Sequence, residues 1–403
     1  MSDQSPINIS IEKSIKSIGK KNWNKCANHD SLNYNPFVSF EFLNALEESK
    51  SVNGNSWWYT SYFVAKDIDK NIIGCIPSYL KNNSSGEYVF DYSWAEAYQR
   101  IGRSYYPKLQ ISIPFTPVSA PKLLTANKND VNTKMAMLQG IEDFCSENSI
   151  SSAHLTFLNK KELNITKKIN WLIRNDQQFH WYNNNYNNFD DFLNALSSRK
   201  RKNIKKERDE ANKKGLEIEI LNDNEILEHH WDEFYKFYID TSMRKWGQPY
   251  LNRDFFSVIG QTLSSKILLI MVKNKKRYIA GALNFLGGDT IYGRNWGCIE
   301  DHKNLHFEVC YYRAIEYAIS KKYRKVEAGA QGAHKISRGY QPEKTFSAHW
   351  IKDIDFSEAI SNYLKDERLY IQDNIEKLNE YIPFKKNKEN QWIMTKIIFL
   401  QKY

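Results

Sequence analysis

A chain of 403 residues is too long for one ordinary domain and suits two of roughly 150–200 residues each. Hydrophobic content of 41% with 14% aromatic residues excludes a disordered chain, and a net charge of +10 favours polyanionic partners: nucleic acid, nucleotide phosphates or an anionic membrane face. The five cysteines, Cys26, Cys75, Cys145, Cys298 and Cys310, are scattered and form no C-x-x-C pair, so they point to neither a disulfide framework nor a zinc site and fit a reducing cytoplasm.

The opening residues, 1–10, lack a basic stretch followed by an apolar one, which argues against a signal peptide and for a cytoplasmic location. A helix is expected over Ser39–Glu48, then strands over Trp57–Ala65 and Ile72–Leu80. The polar loop 81–92 follows, with Glu87 and Asp91 as candidate proton acceptors or as fixtures of the loop itself. Tyr92, Trp94, Tyr98, Tyr105 and Tyr106, together with Trp296 much later, are candidates to line a cleft. A proline-rich strand and turn, Lys108–Val118, leads to a helix from about Val131 to Ser146 and a strand at Ser152–Phe157.

Two helices are expected in mid-chain, over Phe189–Lys214 and Glu225–Trp246. In the second, the apolar residues Ile226, Trp231, Phe234, Phe237 and Tyr238 recur at helical spacing. The first contains the most basic segment of the chain, Ser197–Gly215. It places Arg199, Lys202, Lys206 and Arg208 within one broad sector, with no interleaved aromatic residue to stack bases. Such a face contacts a phosphate backbone rather than reading a sequence.

Strands at Ile267–Val272, Tyr278–Phe285 and Thr290–Arg294, a helix at Phe307–Lys321 and a strand at Val326–Ala330 then repeat the order of the first half. No apolar run approaches the ~20 residues that span a bilayer. A strand returning parallel to an earlier one needs a covering helix, so each half reads as an α/β unit. The expected organisation is two such units, 1–188 and 189–380 with the basic helix 189–215, and a tail or closing strand over 381–403. In the helix at 307–321, Phe307, Cys310, Tyr311, Ala314, Ile315 and Ala318 form the core stripe. His306 and Glu308 stand at its start, where free N–H groups attract an anion.

The segment Val326–Pro342, Val-Glu-Ala-Gly-Ala-Gln-Gly-Ala-His-Lys-Ile-Ser-Arg-Gly-Tyr-Gln-Pro, carries the densest chemistry. Small residues let a ligand approach the backbone, and His334, Lys335 and Arg338 place hydrogen-bonding or cationic groups beside it. The basic helix ending in Lys-Lys-Gly, the later strand Thr290–Arg294, Glu327-Ala-Gly and Lys335 four residues before Gly339 resemble the Fem aminoacyltransferases. More closely, Asn35–Leu43, Gly86–Asp91, Tyr105–Leu109, Pro114–Val118 and Gly329–Gly332 resemble the Fem-like peptidoglycan biosynthesis or recognition family, often labelled N-acetyltransferases. Gly86, Glu87, Asp91, Gln331, His334, Lys335 and Arg338 match its pattern, whereas Asn83, Ser85 and Ala333 depart from it.

The resemblance implies α/β architecture with two tandem acyl-CoA N-acyltransferase (GNAT) domains, mixed sheets flanked by helices, and transfer of an acyl or aminoacyl group to an amine. Such attack needs an uncharged amine and preorganised donors for the oxyanion. Lys335, His334, Arg338, Glu308, His306, Glu87 and Asp91 are therefore the catalytic candidates. Gln331, Gly332, Gly329, Trp296, Arg294, Arg199, Lys202 and Lys206 are the substrate-binding ones. No tightly bound cofactor or metal is expected. The donor is an aminoacyl-tRNA or an acyl-CoA, and the acceptor an amine-bearing small molecule. The nearest approach to a CoA pyrophosphate loop, Arg294–Ile299, breaks at its last position, which disfavours CoA. A non-catalytic module binding peptidoglycan precursors or nucleic acid is the third alternative.

Overall fold

The computed structural model describes residues 6–54, 56–212, 215–245, 247–329 and 332–385. In chain order the first half contributes β1 (Asn8–Glu12), β2 (Trp58–Thr60), β3 (Tyr62–Lys66), β4 (Ile72–Ile76), β5 (Ser78–Lys81), β6 (Lys108–Ile111), β7 (Leu124–Thr125), β8 (Ser152–Leu155) and β9 (Leu172–Tyr182). The second contributes β10 (Leu216–Asn222), β11 (Ile267–Asn274), β12 (Arg277–Leu286), β13 (Thr290–Cys298), β14 (Lys325–Glu327) and β15 (Gln341–Ile351).

The run expected over Trp57–Ala65 is two strands, because the chain passes at Ser61 from one sheet to another. The Ser61 N–H donates to the Ser78 carbonyl at 2.9 Å across this crossing point. The run Ile72–Leu80 splits likewise at Pro77, which has no N–H for a ladder. A four-stranded sheet, β1-β3-β4-β7, results beside an eleven-stranded one of order β10-β11-β12-β13-β14-β9-β15-β8-β6-β5-β2.

In the large sheet only the β13–β14 and β6–β8 pairs are parallel, one in each half, as the repeated strand, helix, strand order requires. The covering helices are Val131–Glu147, capped by the Asp130 carboxylate on the Thr133 N–H at 2.9 Å, and the segment from Leu305 to Ser320. The first buries Met137, Leu138 and Ile141 against Ile111 and Leu155, and the second buries Ala314, Ile315 and Ala318 against Ile291 and Val326. The fold is the expected mixed α/β arrangement.

Four features depart from the sequence expectations. Strand β9 is mostly polar along its length, yet it fills the seam between β14 and β15, and β15 in turn pairs with β8 of the first half. A 27-residue helix, Ile354–Glu380, covers this seam. The basic segment forms two helices, Phe189–Ala195 and Ser198–Asn212, and the second mid-chain helix runs Glu228–Lys245. Residues 308–312 adopt a π-turn, which shifts the phase of the covering helix and turns Glu308 inward rather than to its exposed face. Among the described residues no helix is long and apolar enough to cross a membrane.

Candidate active site

The parallel pair β13–β14 holds together over only three residue pairs, Thr290 with Lys325, Ile291 with Val326 and Tyr292 with Glu327. Beyond them β13 continues through Arg294 and Trp296, while the other chain leaves at Ala328 and Gly329. The backbones separate into a cleft of about 540 Å³ that adjoins a smaller pocket of about 120 Å³. On the other edge of β13, Leu283 pairs with Asn295 and Asn284 with Gly293, so Arg294 is the extra residue of a β-bulge. A bulge re-aims the side chains around it, and here Arg294 lines the cleft.

The opposite lip is the turn after β14. Gly329 and Gly332 have φ of +77° and +107°, and a Cβ at Gly332 would lie 2.5 Å from the His334 ring, so glycine is required there. The turn closes in a 3-10 helix, Ala333–Arg338, which buries Lys335 to 3% exposure. The Lys335 ammonium donates to the Gly329 carbonyl at 3.0 Å, and burial pulls its pKa down to about 8. Burial, with Lys335 and Arg338 nearby, also lowers the pKa of His334, so its imidazole is neutral at pH 7. Its Nε2 lies 3.0 Å from the Tyr311 hydroxyl. His306 packs edge-on to Trp296 and Tyr311 at 5.4 and 5.3 Å.

Gly329, Gly332, His334, Lys335, Arg294, Trp296 and His306 therefore meet around one cleft. Gln331 lies outside the described residues. Arg338 does not face the cleft: its guanidinium stacks on Phe307 at 3.4 Å, pairs with Glu207 at 2.9 Å and donates to the His334 carbonyl at 2.8 Å. It braces the 3-10 helix from the side away from the cleft lining. Glu308 is fully buried, held by two nitrogens of Arg208 at 3.0 Å and by Arg313 at 2.8 Å, and does not line the cleft.

Glu87 and Asp91 do not line the cleft: they belong to a buried nest in the first half, where burial raises the Glu87 carboxyl to about 6. Lys108 reaches Glu87 at 2.7 Å and Asp91 at 2.5 Å, and Lys81 lies 3.4 Å from Glu87. The Tyr105 hydroxyl donates to Asp91 at 2.6 Å. Trp94, Tyr98 and Tyr105 pack in their own cluster with Ile360 and Leu364 and do not line the cleft. Arg199, Lys202 and Lys206 are exposed on the helix Ser198–Asn212, but Arg208, assigned to the same sector, is turned inward by its pairing with Glu308.

The cleft also contains residues that sequence reasoning missed. Tyr88 and Pro117 come from the first half, Tyr238 from the helix Glu228–Lys245, and Tyr250 from the loop that follows it. Tyr88 follows Glu87 directly and has φ of +61°, a turn geometry that its sequence does not announce. Tyr311 had been assigned to the core stripe; the π-turn lets it serve both the core and the cleft.

A sequence profile of the FemAB-like family, described as peptidoglycan biosynthesis/recognition, matches residues 14–386. No curated protein matches the chain in sequence. Among solved structures, FemX aligns with a TM-score of 0.51 at 11% identity, covering 88% of this chain and 100% of FemX. The C-terminal domain of a putative lysylphosphatidylglycerol synthetase from Agrobacterium fabrum aligns with a TM-score of 0.50 at 7% identity, covering 84% of this chain and 95% of that one. A tandem GNAT protein from the clavulanic acid biosynthesis pathway gives 0.45 at 7% identity, with 86% and 98% covered. At such identities the likeness to FemX and to the synthetase domain concerns the fold alone.

Proposed function

The chain belongs to the FemAB-like peptidoglycan biosynthesis/recognition family, and we propose that it transfers an acyl or aminoacyl group to an amine held in the cleft between β13 and β14. The observation that carries this reading is the convergence of Lys335 and His334, on a glycine-bounded turn, with the bulged Arg294 around one cavity. Among the described residues lining it there is no carboxylate. An amine that enters beside two cations is favoured as the free base, since like charges penalise the ammonium. The amine nitrogen attacks the acyl carbonyl, the C–N bond forms, and the oxyanion faces the Lys335 ammonium. Neutral His334 takes the proton that the nitrogen sheds. The oxyanion collapses, the acyl C–O or C–S bond breaks, and the His334 imidazolium gives its proton to the departing alcohol or thiol.

Aminoacyl-tRNA is the donor we favour over acyl-CoA. The turn between β13 and the covering helix, where a pyrophosphate would meet helix N–H groups, instead carries Glu300 and Asp301, with Glu300 bonded to Asn274 at 3.1 Å and to His302 at 3.0 Å. Arg199, Lys202 and Lys206 offer exposed cations to a phosphate backbone. Replacing all three by glutamine is expected to weaken tRNA binding and to reduce its log–log salt slope by about one unit per lost contact. Unchanged affinity and slope would reduce this helix to a solvated face. The function itself is tested by incubating purified protein with an amine acceptor and either charged tRNA or acyl-CoA, and measuring the amide product. Absence of product with both donors would sink the reading.

A further inference from the structure

Three of the buried or half-buried arginines have an acid. Arg174 pairs with Glu367 at 2.7 Å, Arg208 with Glu308 at 3.0 Å, and Arg338 with Glu207 at 2.9 Å. Arg294, half-buried like Arg174 and Arg208, has no such partner among the described residues. Its guanidinium donates through Nη2 to the Phe115 carbonyl at 2.8 Å and lies 5.9 Å from the Phe37 ring, and no carboxylate is within ion-pair distance among the described residues. After Tyr88, the acidic group that acts on it is Glu327, whose carboxylate is engaged by Lys325 at 2.5 Å. A guanidinium has five N–H donors in a planar fork, so Arg294 retains most of them for another acceptor.

Its position indicates what that acceptor is. The β-bulge sets Arg294 where the main cleft meets two smaller pockets, and tyrosines Tyr88 and Tyr238 flank it. A half-buried cation without a counter-ion is partly desolvated, and a ligand oxyanion offsets that cost. We propose that Arg294 is the anchoring site for a carboxylate of the amine acceptor, so that the acceptor is an amino-acid-like or peptide-like molecule carrying both an amine and a carboxylate. This deepens the transfer reading and rests on it for the word acceptor, though the anion site itself stands on geometry. A planar carboxylate matches the guanidinium fork in a bidentate pair; a phosphate can pair in the same way, and the phosphate arm of the binding test separates the two. Burial also lowers the pKa of Arg294 itself, a penalty on the charged form that a bound anion would relieve.

The test is a binding measurement that needs no turnover. Calorimetry or ligand-observed NMR compares N-acetylalanine, N-acetylalaninamide and inorganic phosphate on the full chain and on Arg294→Gln and Arg294→Lys. The expected result is at least tenfold tighter binding of N-acetylalanine than of its amide, with that preference abolished in Arg294→Gln and partly kept in Arg294→Lys. Equal binding of acid and amide overturns the proposal, as does a preference that survives Arg294→Gln. Phosphate binding without carboxylate binding overturns the assignment to the acceptor. The acid–amide comparison on the unaltered protein decides the matter even if a variant fails to fold. A carboxylate preference with no amide product from either donor would sink the transfer reading alone.

Discussion

Replacing Lys335 by methionine is expected to lower turnover by about 100- to 1,000-fold, corresponding to ~2.7–4 kcal/mol of lost transition-state stabilisation, while the fold persists. Methionine keeps the approximate length of the side chain and removes the charge proposed to face the acyl carbonyl. The pH profile supplies an independent check. With a pKa near 8, the ammonium form declines as pH rises through that value, so kcat/KM falls on the alkaline side. Stability responds in the opposite direction. Because burial lowers the folded-state pKa from its ordinary value, the unfolded chain binds more protons between about 8 and 10.5, and this residue's contribution to stability rises with pH across that window. A loss of rate between pH 7 and 9 is therefore loss of charge, not unfolding. Undiminished turnover in a folded Lys335→Met protein would remove the residue from the mechanism, and a lowered thermal midpoint with it would mark a structural lysine.

Replacing Lys108 by methionine is expected to cost about 3–5 kcal/mol of stability, read as a shifted urea midpoint. Lys108 is 0% exposed and neutralises both Glu87 and Asp91. Burial works against its charge, and the two carboxylates more than offset it. Without it two buried carboxylates face only Lys81, whose own pKa burial lowers to about 7. The triple variant Lys108→Met, Glu87→Gln, Asp91→Asn removes the stranded charges and should recover much of the loss. A triple variant no more stable than the single one would show that the nest is not an electrostatic unit. The consequence reaches function, because the loop that Glu87 and Asp91 pin also presents Tyr88 to the cleft.

Local features of the sequence determined a large part of this protein. Apolar periodicity located both covering helices, the strand, helix, strand order implied one parallel pair in each half, and the small residues around Lys335 marked one lip of the cleft. These signals are short-range, carried by neighbours in the chain. Tertiary structure alone decided the rest. The polar run of β9 became an interior strand because β14 and β15 supply its ladder partners, which no property of Leu172–Tyr182 announces. Glu308, Arg338, Glu87 and Asp91 looked reactive because charged residues in motif-rich segments do, but each met an opposite charge brought from 17 to 131 positions away. Among the described residues Arg294 met none, and a one-residue bulge set by the register of β12 against β13 turned it into the cleft. Pairing of charges depends on which segments pack together, so the same residue types became scaffold in three places and left Arg294 and Lys335 lining the cleft.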